Sequence, residues 1–330
     1  MTVSLSPKDF ATDQEVRWCP GCGDYAILNG VRAVLAEIGR SPKDVVFVSG
    51  IGCAARFPYY IATYGFHTIH GRAPAVATGV KIANPDLDVW VVGGDGDFLS
   101  IGGNHLLHTL RRDVDINLLL LNNAVYGLTK GQYSPTSNIG TRSPSSPGGS
   151  IEWPVNAARF ALGAGASFVA RTVDFLQDHL PGVLVRAHAH KGTSLVEILQ
   201  NCIIYSDGVF ENVADKASAA KNAIRLVHGE PILIGKERKS GLVLDKADLR
   251  FRVAEVGVDC PLEAIARHDE TNLVRAMALA ALDGPEDPAV LGVLYARPPD
   301  IAKPALSVLD RTPAMTRDEL AALLALPGAS

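Results

Sequence analysis

No apolar run in this 330-residue sequence approaches the roughly 20 residues a helix needs to cross a bilayer, so no membrane partner is expected. Residues 1–13 mix Ser, Thr, Lys and Asp without the apolar centre of a secretory signal, which predicts a cytoplasmic chain. An excess of charge of one sign is missing as well. The 31 Lys and Arg against 35 Asp and Glu leave a formal net charge of −4, and that balance favours neither nucleic acid nor an anionic membrane. Arg111-Arg112 and Lys236-Glu237-Arg238-Lys239 are short basic clusters of the kind that solvate a surface. Internal repeats are absent. Cysteine is scarce: Cys19, Cys22, Cys53, Cys202 and Cys260 make five, and a reducing compartment excludes a disulfide framework. Cysteines that cluster in such a chain point instead to metal or redox chemistry.

Apolar material is ample. Apolar residues make up 47% and charged residues 20%, the balance of a globular chain. Its length suffices for one large α/β domain with a tail, or for two unequal domains. Val-, Ile- and Leu-rich runs predict strands at 45–49, 89–92, 116–121, 167–170 and 194–199. Helical patterns fall between them at about 25–38, 74–83, 103–110 and 173–189, the last interrupted at Pro181-Gly182. Continuous apolar strands alternating with helices predict a mostly parallel, doubly wound α/β sheet covered on both faces, over about 15–205. Residues 133–154, dense in Ser, Pro, Thr and Gly, predict a long functional or mobile loop. After about 207 the rhythm weakens and Pro becomes common, as at Arg297-Pro298-Pro299 and Lys303-Pro304. The expected division is therefore a core domain over 1–206 and a C-terminal extension over 207–330 that packs on the core or on a partner. That extension would end in an amphipathic helix over 316–326, stopped by Pro327-Gly328.

Chemistry-bearing residues collect where the predicted strands end. The strand 89–92 runs into Gly93-Gly94-Asp95-Gly96-Asp97. Glycines at a strand-to-helix turn let backbone N–H groups approach an anion, and the helix N-terminus adds a favourable field. An Asp inside that turn would repel phosphate unless a cation lay between them, which points to Mg²⁺. The next strand ends in Asn122-Asn123-Ala124-Val125. Neighbouring parallel strands place their C-terminal ends side by side, so Asp95 and Asn123 are positioned to share one cation, with the Val125 carbonyl as a third ligand. A Gly-rich turn plus an Asn that caps a short helix is the structural alternative.

Trp18-Cys19-Pro20-Gly21-Cys22 is a tight Cys-x-x-Cys turn that presents two thiolates to one metal, while Cys53 and Cys202 each follow a predicted strand. Such a four-thiolate set suits Zn²⁺ or a [4Fe–4S] cluster, and spacing alone does not separate the two. A thioredoxin-like redox pair is a third option, but the surroundings of Cys19 and Cys22 do not resemble that fold. Cys260 stands outside the set and is expected to be an inert, partly buried thiol.

The Gly-Asp-Gly turn followed by a strand ending in Asn-Asn resembles the thiamine-diphosphate (ThDP) motif. Trp18–Asp24, Gly50-Ile51-Gly52-Cys53, His67–Ala73 and Gly94–Asp97 together resemble the β subunits of 2-oxoacid:ferredoxin oxidoreductases, over about residues 15–205. The resemblance implies the ThDP-binding fold and a role for Cys19, Cys22, Cys53 and Cys202 as ligands of one [4Fe–4S] cluster. By the same resemblance Asp95, Asn123 and the Val125 carbonyl hold Mg²⁺. ThDP would lie against Ile51, Gly52, Cys53, Ala54, His70, Gly96, Asp97, Gly127 and Leu128. His70 is also a candidate near the reacting centre, with a hydrogen-bonded structural His as its alternative. The implied reaction is CoA-dependent oxidative decarboxylation of a 2-oxo acid, or the reverse carboxylation, with electrons leaving singly to ferredoxin. The run Leu128-Thr129-Lys130-Gly131-Gln132, followed by Ser134-Pro135-Thr136, resembles the 2-oxoglutarate branch, a run that broad-specificity members share. Arg56 and Lys130 are the cations that would meet the second carboxylate, with a surface ion pair as the alternative for each. The Glu that activates the ThDP aminopyrimidine would come from a separate α subunit, giving an αβ or α₂β₂ assembly. Other readings stay open: a broad-specificity or pyruvate:ferredoxin oxidoreductase, a ThDP decarboxylase or lipoamide-linked subunit whose cysteines bind zinc, and a non-catalytic subunit with a structural Cys₄ zinc site.

Overall fold

The computed structural model describes residues 5–213, 215–284, 286–298 and 316–324. Residues 1–297 form one compact unit and residues 298–330 a second. In the first unit the strands are β1 (Val45–Ser49), β2 (Tyr64–His67), β3 (Asp88–Gly94), β4 (Asn117–Asn122), β5 (Val125–Tyr126), β6 (Gln132–Tyr133), β7 (Phe168–Val173), β8 (Ser194–Leu199), β9 (Ala223–Arg225), β10 (Leu233–Ile234), β11 (Ser240–Asp245), β12 (Arg250–Glu255) and β13 (Ala289–Ala296). The helices are α1 (Asp24–Ile38), α2 (Phe57–Tyr60), α3 (Ala73–Ala83), α4 (Gly103–Arg112), α5 (Ala157–Gly163), α6 (Leu180–Ala189), α7 (Lys216–Asn222) and α8 (Leu273–Ala280).

Among the described residues eleven strands make one sheet in the order β12-β11-β10-β9-β13-β7-β8-β4-β3-β1-β2, while β5 and β6 form a small hairpin. From β7 to β2 every neighbouring pair is parallel. The doubly wound reading of the sequence describes this part well. Alternate residues of each strand enter opposite cores, as the two-residue repeat of a pleated strand requires. Val46, Val48, Val89, Val91, Leu118 and Leu120 pack beneath α3, α4, α5 and α8. Val45, Phe47, Trp90, Val92, Leu119 and Leu121 pack beneath α1 and α6. Burial on both faces explains why these strands read as unbroken apolar runs. Trp90 is fully buried, stacked between Phe47 (centroids 6.0 Å apart) and His188 (5.9 Å).

Two local features differ from the periodicity reading. Strand β7 continues to Val173, and α6 begins only at Leu180, so Pro181 opens the helix instead of interrupting it. Proline suits the first helical turn because its missing N–H would have no partner there. Edge strand β2, helix α5 and strands β9 to β13 are further elements that the apolar runs do not single out.

The segment after 207 is built into the sheet. Strand β13 lies between β7 and β9, antiparallel to the first and parallel to the second, and β9 to β12 continue antiparallel to the sheet's end. The second unit contributes one described helix, α9 (Arg317–Leu324). It opens with a reciprocal cap, in which Thr316 N donates to Glu319 Oε2 at 2.7 Å and Glu319 N to Thr316 Oγ1 at 3.3 Å. Lys303-Pro304 and Pro327-Gly328 lie outside the described residues. Among the described residues no helix is long and apolar enough to cross a membrane.

Candidate active site

Strand β1 leads outward to the edge strand β2, whereas β3 leads the other way to β4, yet β1 and β3 are neighbours. The segments leaving their C-terminal ends therefore diverge and open a crevice, the place where doubly wound sheets take ligands. A cavity of about 120 Å³ lies there. Its walls come from Ile51–Ala54 after β1, His70 after β2, Gly94–Asp97 after β3, Leu121 and Asn123 at the end of β4, and Val125–Thr129 beyond it. Asp24, the first residue of α1, completes the wall. The residues singled out above for ThDP and for Mg²⁺ all line this one cavity.

Asp95 is almost wholly buried, which pushes its carboxyl above the usual range, while hydrogen bonds from Ser134 and Thr136 pull it back. Both hydroxyls meet the same oxygen, Oδ2. Across the cavity Asn123 Oδ1 accepts from Val125 N at 3.2 Å, and the intervening Ala124 is held at φ 52°. That left-handed turn folds the chain back between Asn123 and Val125. Among the described residues no ion pair is made by this buried carboxylate, and with the side-chain amide of Asn123 and the turn after it the site is an oxygen-rich donor set that fits a hard divalent cation.

Asp97 organises the opposite wall. Its Oδ1 accepts from Ile51 N at 3.1 Å and Gly71 N at 2.8 Å and contacts His70 Nδ1, tying the ends of β1 and β2 to the turn after β3. Its Oδ2 is buried without a partner. Gly50 is required beside it, because a Cβ there would fall 1.9 Å from that oxygen. The His70 ring stands edge-on to Tyr126, whose hydroxyl donates to the Gly96 carbonyl at 3.1 Å.

Two of the four cysteines, Cys53 and Cys202, lie beside Gly127. A Cβ on Gly127 would lie 3.6 Å from Cys53 Sγ and 3.8 Å from Cys202 Sγ. The Cys19–Cys22 turn, closed by Cys22 N donating to Cys19 O at 3.0 Å, is fastened to both neighbours. Trp18 Nε1 donates to the Cys53 carbonyl at 2.8 Å, and Gln200 Nε2 contacts Cys22 Sγ at 3.3 Å. Burial pushes the Cys53 thiol up to about 11, with Asp24 and Cys202 acting the same way and Arg56 opposing. Burial and then Asp24 raise Cys22 as well. Asp24 itself is raised to about 7, by burial and by Asp174 beside it. Thiols held this high bind metal with release of protons, and a bound cation would reverse the shift. Among the described residues no three His, Cys, Asp or Glu side chains, the four cysteines included, are grouped closely enough to hold one metal ion. Cys260 lies far along the chain, partly buried, between β12 and α8.

Arg56 and Lys130 do not line the cavity. Arg56 lies close enough to Cys53 to act on its thiol, and Nη1 donates to the Arg17 carbonyl at 2.7 Å. Lys130 is exposed at φ 75° in the turn after Gly127. The residues that sequence reasoning did not single out are Asp24, Tyr126, Ser134 and Thr136. The Ser134-Pro135-Thr136 run enters the sequence reading only through its resemblance to the 2-oxoglutarate branch. A larger cavity of about 350 Å³ lies on the far side of Asn122 and Thr136, lined by the buried ion pair of Arg171 and Glu197.

The family described as "Thiamine pyrophosphate enzyme, C-terminal TPP binding domain" matches residues 50–198. The chain is 51% identical over 292 residues to the 2-oxoglutarate oxidoreductase subunit KorB of Mycobacterium tuberculosis, covering 87% of this chain and 76% of that protein. It is 47% identical over 205 residues to the β subunit of 2-oxoacid:ferredoxin oxidoreductase 1 of Aeropyrum pernix, covering 62% of this chain and 64% of the relative. Among solved structures, a 2-oxoglutarate:ferredoxin oxidoreductase from Magnetococcus marinus with 2-oxoglutarate, coenzyme A and succinyl-CoA bound matches 99% of this chain and 98% of that one, with TM-score 0.72 and 32% identity. A crevice built at the strand switch point, an Asp–Asn pair across it and a Cys-x-x-Cys turn beside it thus have the same owner: the chain belongs to the β subunits of the 2-oxoacid:ferredoxin oxidoreductases.

Proposed function

We propose that this chain is the ThDP-binding half of a 2-oxoglutarate:ferredoxin oxidoreductase. The complex would convert 2-oxoglutarate and CoA to succinyl-CoA and CO₂, or run the reverse carboxylation. Two electrons would leave singly through a [4Fe–4S] cluster on Cys19, Cys22, Cys53 and Cys202 to ferredoxin. The observation that carries this reading is the cavity at the β1–β3 switch point, where Cys53 is part of the wall that Asp95 and Asn123 also line. ThDP, when bound, supplies the carbon nucleophile and the electron sink. The chain's own residues bind and orient. Asp95, Asn123 and the Val125 carbonyl would hold Mg²⁺ against the diphosphate, with Gly96, Asp97, Gly127 and Leu128 around it. Ile51, Gly52, Ala54 and His70 would hold the opposite wall.

A partner subunit that completes the site is supported by the rim. Ile51 and Leu128 line the cavity and are exposed, and exposed apolar side chains at a site mouth favour being covered by another protein. The 2-oxoglutarate preference is supported by the bound ligands of the Magnetococcus marinus structure and by the Mycobacterium tuberculosis relative. For Arg56 and Lys130 we propose contact with the distal substrate carboxylate once the partner has closed the site.

Anaerobic co-purification with the α subunit tests the reading. The complex should be brown, show a reducible iron–sulfur EPR signal, and reduce methyl viologen with 2-oxoglutarate and CoA faster than with pyruvate. A colourless complex with stoichiometric zinc would overturn the electron-transfer role. Equal rates with both acids would overturn the assigned preference. Asp95→Ala should abolish ThDP retention together with turnover.

A further inference from the structure

Residues 134–137, Ser-Pro-Thr-Ser, lie in the long loop between β6 and α5 and bring three hydroxyls up behind the Asp95 wall of the cavity, Thr136 also lining the larger neighbouring cavity. Two of them meet Asp95 and the third meets the turn that follows Asn123. Ser134 Oγ donates to Asp95 Oδ2. Thr136 Oγ1 donates to the same oxygen at 2.6 Å and lies 2.9 Å from Asn122 Oδ1, so its one proton is shared between two acceptors. Ser137 Oγ donates to the Ala124 carbonyl at 2.6 Å and accepts from Ser134 N at 2.8 Å. Asn122 is fixed in turn. Its Oδ1 accepts from Ala124 N at 3.1 Å, and its Nδ2 donates to Glu197 Oε1 at 2.8 Å. Glu197 is held by Arg171 Nε at 2.7 Å, and both are buried.

The pattern of acceptors is what matters. Two hydroxyls meet one oxygen of Asp95, Oδ2, and the Gly96 backbone also bonds the carboxylate, so its rotamer is set before any cation arrives. The third hydroxyl grips the carbonyl of Ala124, the left-handed residue that turns Asn123 and Val125 toward that cation. We propose that the Ser134–Ser137 segment is a hydroxyl buckle that positions both halves of the Mg²⁺ half-shell, with Thr136 as the joint between Asp95 and β4. Thr136 is a positioning residue, acting through Asp95 and Asn122 and not on substrate. The proposal rests on the reading that Asp95, Asn123 and Val125 hold the metal.

The test uses the full chain in complex with its partner subunit, with ThDP present and Mn²⁺ in place of Mg²⁺, reading free Mn²⁺ by EPR. Thr136→Val keeps the shape and removes the hydroxyl; it should weaken Mn²⁺ about tenfold or more, the usual scale for residues that orient a metal ligand. Thr136→Ser restores the hydroxyl and should bring affinity back to within about threefold of the wild type. In turnover, Thr136→Val should raise the half-saturating metal concentration while kcat at saturating metal recovers. Wild-type Mn²⁺ affinity in Thr136→Val would overturn the buckle. Should that variant fail to fold, Ser134→Ala removes the other donor to Asp95, and unchanged Mn²⁺ affinity there overturns it equally. Asp95→Asn separates the two levels: if it binds Mn²⁺ as the wild type does, the metal reading itself fails, whatever Thr136 does.

Discussion

His179, the residue before α6, packs partly buried with Nδ1 2.9 Å from Thr172 Oγ1 on β7. Burial, reinforced by the nearby Arg225, lowers its pKa from 6.5 to about 4. Between those values the unfolded chain carries a proton that the folded chain excludes, so stability falls as pH drops through this window. With allowance for partial exposure the loss is roughly 2 kcal/mol. His179→Asn keeps a polar partner for Thr172 without titrating. Thermal melts from pH 7 to pH 4 should show the wild type losing that much more stability than the variant; parallel curves would refute the assignment. At this scale the sequence was legible where a residue type admits few uses. A Gly-Asp-Gly turn and a Cys-x-x-Cys turn have narrow chemistry; the first lines the cavity and the second is tied by Trp18 to Cys53 in its wall. Ser134 and Thr136 were not legible in that way, because hydroxyls in a Pro-rich loop form turns as readily as they support a ligand.

Among the elements, the turn between β4 and β5 carries the sharpest constraint. Ala124 is buried at φ 52° between Asn123 and Val125. An L-residue pays about 1–2 kcal/mol in this region, and a β-branched one is a steric outlier. Ala124→Val should therefore destabilise the chain by about 2 kcal/mol or more and lower ThDP retention, whereas Ala124→Gly should fold with retention near that of the wild type. Equal retention in both variants, read from ThDP released on denaturation, would show that the turn does not position the site. Strands β1 and β8 were legible to the residue because burial on both faces leaves no polar break inside them. The start of α6 was misread because Pro181 was taken as an interruption. Edge strand β2 escaped because its four residues, Tyr-Gly-Phe-His, are all exposed and too few to form an apolar run.

For the whole molecule, the late insertion of β13 decides how the sheet is closed. Val290, Leu291 and Leu294 of β13 are fully buried, and each contributes about 2 kcal/mol by leaving water. Their sum is comparable to the net stability of a domain, about 5–15 kcal/mol. A chain ended at residue 288 is accordingly expected to be insoluble or to lack near-ultraviolet circular dichroism. A soluble, native-like product would mean that β7 tolerates life as an edge strand. The Pro-rich composition after 207 concealed this role, since a strand that pairs with β7, more than a hundred residues earlier, leaves no local periodicity to distinguish it from an appended one. By itself the sequence determined the alternation of buried strands and helices, the family, and the residues whose chemistry is narrow, because these depend on local pattern and side-chain type. Only the tertiary structure decided that the cofactor candidates share one cavity, that Arg56 and Lys130 stand outside it, and that Ser134 and Thr136 meet Asp95. Those are distances between strand ends and loops remote in the chain, and the folding of the sheet sets them.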